Sequence, residues 1–193
     1  MRVTPKMLTN EGFEMQIGVN HMGHFLLTNL LLDFLKLSQP SRVITVSSIA
    51  HTRGEINTAD LNSEKSYDEA KAYEQSKLAN VLFTRELSKR LEGSGVTANS
   101  LHPGIVDTEL MRFMPFYNSI FAKVFVYPLM WPFMKNPVAG SQTTLYCALD
   151  PDLEQVTGQY FADCKQIDAA QQGQDDQMAK FLWKVSEKWC RLE

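Results

Sequence analysis

Arg42-Val43-Ile44-Thr45-Val46-Ser47 is a short β-branched run lying between two long stretches of helical periodicity. A half-exposed strand alternates apolar with polar residues. This run is too apolar for a wet face and needs cover on both sides, as in a parallel sheet. Ahead of it, Phe13, Ile17, Phe25, Leu26, Leu30 and Leu31 recur at helical spacing, predicting one helix over about residues 11–37 that ends at Ser38-Gln39-Pro40-Ser41. Behind it, a polar loop through Gly54 and Asp60 leads to a second helix over about residues 68–91, stopped by Gly93-Ser94-Gly95. Residues 96–101 form another strand, interrupted at His102-Pro103-Gly104. A helix over about residues 138–149, a short strand near 159–161 and a terminal helix over about 175–191 complete the chain. Helix and strand alternate, which predicts an α/β chain with a parallel sheet.

The 193 residues amount to one domain by length, large enough for a hydrophobic core. A net charge of −3 and a pI near 5.8 offer no electrostatic basis for a nucleic-acid partner. Cys147, Cys164 and Cys190 are an odd set without metal-like spacing, and no Asn-x-Ser/Thr sequon occurs; both point to an intracellular, reducing compartment. The opening Met-Arg-Val-Thr-Pro-Lys is polar and reads as neither a signal peptide nor a membrane span. His21 and His24 stand at i and i+3 with no third ligand, so packing on a helix face is expected and no metal site.

In open parallel sheets, sites form beyond the carboxyl ends of the strands. Ser48 and the Pro103-Gly104 turn each follow a strand and share that rim. Tyr73 and Lys77, four residues apart on a helix, project from one face. An ammonium beside a phenol stabilises the phenolate, and such a phenol can pass a proton to or from an alcohol or carbonyl oxygen. Spacing alone leaves Ser47 and Ser48 both open as the strand-end hydroxyl. His51 and His102 flank the rim, as substrate contacts or as structural groups. Gly93-Ser94-Gly95-Val96-Thr97-Ala98 matches a dinucleotide-binding string, but it follows a helix and enters a strand, the reverse of the order needed, and is a helix stop.

Asn20 in Val19-Asn20-His21-Met22-Gly23, Ser47-Ser48, Tyr73-x-x-x-Lys77 and Pro103-Gly104-Ile105-Val106-Asp107-Thr108 occur in one order with fitting separations. The combination resembles the short-chain dehydrogenase/reductase superfamily. Val46-Ser-Ser-Ile-Ala-His51, Ser76-Lys-Leu-Ala-Asn-Val-Leu-Phe-Thr-Arg-Glu-Leu87 and Gly158-Gln-Tyr-Phe-Ala-Asp-Cys164 look like retinol dehydrogenases of the 11 to 14 type. The resemblance implies a Rossmann-like, doubly wound parallel sheet, of which this chain is the C-terminal part. It implies that Tyr73 is the proton donor or acceptor, that Lys77 supports it and binds the nicotinamide ribose, and that Ser48 orients the substrate oxygen. Asn20 would kink its helix and anchor a water of the proton relay. Pro103, Gly104, Val106 and Thr108 would line the nicotinamide carboxamide. The implied cofactor is NADP, with NAD left open, and the implied reaction is hydride transfer between an alcohol and a carbonyl.

Residues 111–137 are aromatic and proline-punctuated, with Phe113, Phe116, Tyr117, Phe121, Phe125, Tyr127, Trp131 and Phe133. They read either as a packed lid helix or as an apolar mouth for a retinoid or lipid aldehyde that also touches a bilayer surface. The resemblance suggests the endoplasmic reticulum or a mitochondrial membrane. By the same comparison the chain is a single incomplete domain over residues 1–193, without the family's Gly-x-x-x-Gly-x-Gly turn, its Asn-Asn-Ala-Gly segment or its anchor. An open sheet edge, partly uncovered first helices and weak NADP(H) binding are expected from that. The competing expectations are a non-catalytic fragment or interaction protein that kept the site residues, and a serine hydrolase using Ser48 with Lys77. The second lacks a Gly-x-Ser-x-Gly elbow.

Overall fold

The computed structural model describes residues 5–106 and 134–192. Helix α1 (Met15–Ile17) runs into a π-helical turn (Gly18–Met22) and on into α2 (Gly23–Leu37). The single helix expected from periodicity is therefore shorter and broken in character. Its start is set by Glu14, whose buried carboxylate accepts the amides of Gln16 and Ile17 at 2.8 and 3.1 Å. The π turn lodges an extra residue in the helix. It sits tightly under the preceding loop: a Cβ on Gly18 would lie 2.7 Å from Thr9 Cγ2.

Strand β1 (Ser41–Val46) is followed by a 3₁₀ turn (Ile49–Arg53) and by α3 (Glu69–Arg90), capped by Asp68 through the Lys71 amide. Strand β2 (Val96–His102), helix α4 (Pro137–Leu149), strands β3 (Tyr160–Ala162) and β4 (Lys165–Ile167), and helix α5 (Asp176–Trp189) follow. The sheet order is β1-β2-β3-β4, the first three parallel and β4 antiparallel to β3. β4 was not expected from the sequence, being three exposed residues. It forms because Asp163 and Cys164 take φ of 50° and 56°, the left-handed geometry that a two-residue hairpin turn requires.

Alternation along β2 sends Val96 and Ala98 to one face, into a core with Phe25, Phe83, Leu87 and Trp183. Leu101 faces the other way, towards Cys147, Leu153 and Phe161. Val43 packs on the first core and Ile44 on the second, so β1 has partial cover on both faces, with Val43 and Ile44 half-buried and Val46 40% exposed. Helices α2, α3 and α5 thus lie on one side of the sheet and α4 on the other. Trp183 reaches the sheet through Val96 and Ala98. Val185 and Trp189 pack on a cluster of Ile17, Met22, Leu78 and Leu82. Leu30 and Leu31, on the apolar helix face expected to lose part of its cover, are 61% and 43% exposed, and no described element lies over that face of α2. Among the described residues, no helix is long and apolar enough to cross a membrane.

Candidate active site

Parallel pairing brings the carboxyl ends of β1 and β2 level. Val46 lies opposite Leu101, and the Ser47 amide donates to the Leu101 carbonyl at 2.7 Å. Ser47-Ser48 and Pro103-Gly104 therefore leave the sheet side by side.

The two serines have different surroundings. Ser47 is buried, and its hydroxyl donates to the Lys77 carbonyl at 2.7 Å, bolting the strand end to α3. Ser48 is half-buried in an extended conformation. Its oxygen accepts the Ala50 amide at 3.2 Å, which leaves its own O–H to donate elsewhere.

Tyr73 and Lys77 stand one turn apart near the start of α3. The Lys77 ammonium lies 5.8 Å from the centre of the Tyr73 ring, within cation–π reach, and 3.4 Å from the Val46 carbonyl. Lys77 is 8% exposed, and burial pulls its pKa from the ordinary 10.5 down to about 8. Asn80, three residues beyond it on the same helix face, donates to the same carbonyl at 3.2 Å. Asn20 lies in the π turn and is buried. Its amide donates to the Ser76 hydroxyl at 2.9 Å, and Ser76 donates to the Tyr73 carbonyl at 2.8 Å. The π turn is thereby hitched to the part of α3 that carries Tyr73 and Lys77.

Gly104 takes φ of +88°, open to glycine and strained for other residues. Val106 pairs with Lys135 in an isolated parallel bridge and rests on α4, where a Cβ on Gly140 would come within 2.6 Å of Val106 Cγ2. Thr108 and the aromatic stretch 111–133 lie outside the described residues.

The histidines at the rim bind backbone. His51 is 2% exposed, and the Ala170 amide donates to its Nε2 at 3.2 Å, so the ring proton sits on Nδ1 and is given to the Ser48 carbonyl at 2.7 Å. Burial holds its pKa below the ordinary value, against the opposing pull of the Ser48 bond. His102 accepts the Gly104 amide on Nδ1 at 3.1 Å. His21 is buried, its Nε2 2.9 Å from the Ser186 hydroxyl, and burial holds its pKa near 4. Among the described residues, no group of three His, Cys, Asp or Glu side chains is placed to hold a metal ion.

Three participants are not evident in the sequence pattern. Ser76 bridges Asn20 to Tyr73. Lys135 and Asp163 form a 2.5 Å ion pair at the rim, 28 residues apart, and no local spacing announces a contact of that range.

A family model described as short chain dehydrogenase matches residues 2–115. The chain is 52% identical over 183 residues to retinol dehydrogenase 14 of Mus musculus, covering 95% of this chain and 54% of that protein. It is 49% identical over 190 residues to retinol dehydrogenase 13 of Homo sapiens, covering 98% and 57%. The chain thus spans about half the length of the curated relatives it matches. Among solved structures, an uncharacterised protein from Mycobacterium paratuberculosis superposes with a TM-score of 0.74 at 34% identity, over 99% of this chain and 64% of that one. A blue fluorescent protein from a metagenomic library, solved with NADPH, shares the fold at a TM-score of 0.57 and 23% identity, over 84% and 60%.

Proposed function

The chain belongs to the short-chain dehydrogenase family, and from that premise we propose that its rim carries the proton-transfer half of an alcohol/carbonyl oxidoreductase site. The observation that carries this reading is a buried ammonium, Lys77, beside the Tyr73 ring, on the helix that Ser47 ties to the end of β1. Tyr73 would donate a proton to the substrate oxygen during reduction and take it back during oxidation. Ser48 would donate its O–H to that oxygen and fix its direction. Lys77 would hold positive charge next to the phenol, and Asn20 would anchor a water behind it.

The residues present fit the nicotinamide end of a dinucleotide. Lys77 has three N–H donors and, among the described residues, a long 3.4 Å hydrogen bond to the Val46 carbonyl, so it retains capacity for ribose hydroxyls. Tyr73 and Lys77 would hold the ribose; Pro103, Gly104, Val106 and Thr108 would hold the carboxamide. When bound, the nicotinamide supplies or accepts the hydride. We infer NADP as the cofactor, with NAD as the alternative. The substrate class we infer is a hydrophobic alcohol or aldehyde such as retinol/retinal, met at an intracellular membrane.

Purified chain given NADPH and all-trans-retinal should form retinol at a rate that Tyr73→Phe lowers at least about a hundredfold; equal rates in the two proteins would overturn the proposal. The competing reading is a non-catalytic or interaction protein that keeps these residues. That reading expects no Tyr73-dependent turnover at any NADPH concentration.

A further inference from the structure

We propose that His102 and the Lys135–Asp163 pair are positioning residues that grip the Gly104 main chain from two sides and fix the shape of the Pro103-Gly104 turn. The consequence for the reaction rests on the reading above, in which that turn faces the nicotinamide carboxamide; the grip itself does not.

On one side, the Gly104 N–H donates to His102 Nδ1 at 3.1 Å. Nδ1 can accept only when bare, so the ring proton of neutral His102 must sit on Nε2. On the other side lies the Lys135 stem. A Cβ on Gly104 would stand 3.1, 3.2 and 3.3 Å from Lys135 Cε, Cδ and Nζ, so the stem lies flat against the glycine.

Lys135 is placed there by its own backbone. Its amide donates to the Ile105 carbonyl at 2.8 Å, and it pairs with Val106. Its side chain then turns back across Gly104 to meet Asp163 at 2.5 Å. Asp163 reaches the rim because the β3–β4 turn is held in left-handed geometry at two non-glycine residues, and the Cys164 amide is tied to Thr143 Oγ1 of α4 at 3.3 Å. Such geometry persists only where its surroundings impose it. Asp163 is 69% exposed, and ion pairs of that kind add little to stability. What this one supplies is the direction of the Lys135 stem.

Protonating His102 would put an N–H on Nδ1 facing the Gly104 N–H, and the bond would be lost. Burial is the largest influence on the His102 ring and holds its pKa below the ordinary value; of the charged or titratable groups, Asp163 favours its protonation, and His51 and Lys135 oppose it. The Tyr160 ring centroid stands 6.1 Å from that of His102.

Amide-resolved NMR of the full chain tests the grip without any cofactor. At pH 7.5 the Gly104 amide should be protected from exchange at least about tenfold beyond an open turn, and its resonance should move with the His102 titration as the pH falls. Asp163→Asn should lower the His102 midpoint and shift the Gly104 and Ile105 amides. Lys135→Met should shift them likewise, and Lys135→Arg should restore them in part. A Gly104 amide indifferent to His102 titration, or to both Asp163→Asn and Lys135→Met, overturns the proposal. The oxidoreductase reading falls separately, on Tyr73→Phe. Where Tyr73-dependent turnover is present, Asp163→Asn should raise KM for NADPH several-fold and change kcat less; an unchanged KM would remove the consequence for the reaction and leave the grip to the amide shifts.

Discussion

At the scale of single residues, neighbouring side chains of one type are separated by what surrounds them. Ser47 and Ser48 are equivalent as letters. One hydroxyl is committed to the Lys77 carbonyl, and the other opens on the rim. Ser47→Ala should cost about 1 kcal/mol in chemical denaturation. Ser48→Ala should remove any Tyr73-dependent turnover, at a stability cost of about 0.5–1 kcal/mol for the lost cap on the Ala50 amide. Turnover lost in Ser47→Ala and kept in Ser48→Ala would place the wrong serine at the site. Lys77 shows the conflict between site and stability. An unfolded lysine holds its proton up to about pH 10.5, whereas the folded one loses it near 8. Between those values the unfolded chain binds more protons, so stability rises with pH across that window and is lowest below it. Lys77→Met should therefore raise the unfolding free energy at pH 7 by roughly 1–2 kcal/mol and flatten the rise between pH 8 and 10.5. Urea melts across that range check both, and a destabilised Met variant would contradict the assignment. The Tyr73–Lys77 spacing was legible because a helix puts i and i+4 on one face. The fate of each serine was not, because a hydroxyl's partner depends on an element 30 residues away.

At the scale of elements, helices and strands were readable where periodicity is long, and their ends followed from caps. Asp68, Asn136 and Asp175 each accept amides of the turn they open. The π turn was not readable from hydrophobic spacing. It is held by the Asn20–Ser76 bond and by close packing at Gly18, both long-range. β4 escaped notice for a related reason: three exposed residues carry no pattern, and the hairpin depends on two left-handed residues before it. Gly54 gives a direct test of how closely elements approach. A Cβ there would stand 2.5 Å from the Glu74 carbonyl oxygen and 2.8 Å from Leu78 Cβ. Gly54→Ala should push the loop after Ser48 away from α3 and destabilise by about 1–3 kcal/mol. An unchanged midpoint in denaturant would mean the contact is looser than described.

At the scale of the whole molecule, two surfaces stand open among the described residues. β1 pairs only with β2, leaving its other edge free. Beside it, Leu27, Leu30, Leu31, Phe34 and Leu37 make an exposed apolar stripe along α2. A free edge next to an apolar face promotes association. Sedimentation should show the chain self-associating with concentration, and Leu30→Lys with Phe34→Glu should reduce this markedly without lowering the melting temperature. Equal association in both proteins would place the sticky surface elsewhere.

The sequence by itself determined that a β-branched strand with packing on both faces lies between long helices, and that a phenol and an amine share one turn of α3. Those properties are local, set by side-chain period and by the geometry of one element. Only the tertiary structure decided which serine opens on the rim, which nitrogen of His51 or His102 carries the proton, and that Lys135 crosses Gly104 to reach Asp163. Such outcomes depend on groups far apart in the chain that meet within hydrogen-bond distance, and no local pattern encodes a contact between elements before they pack.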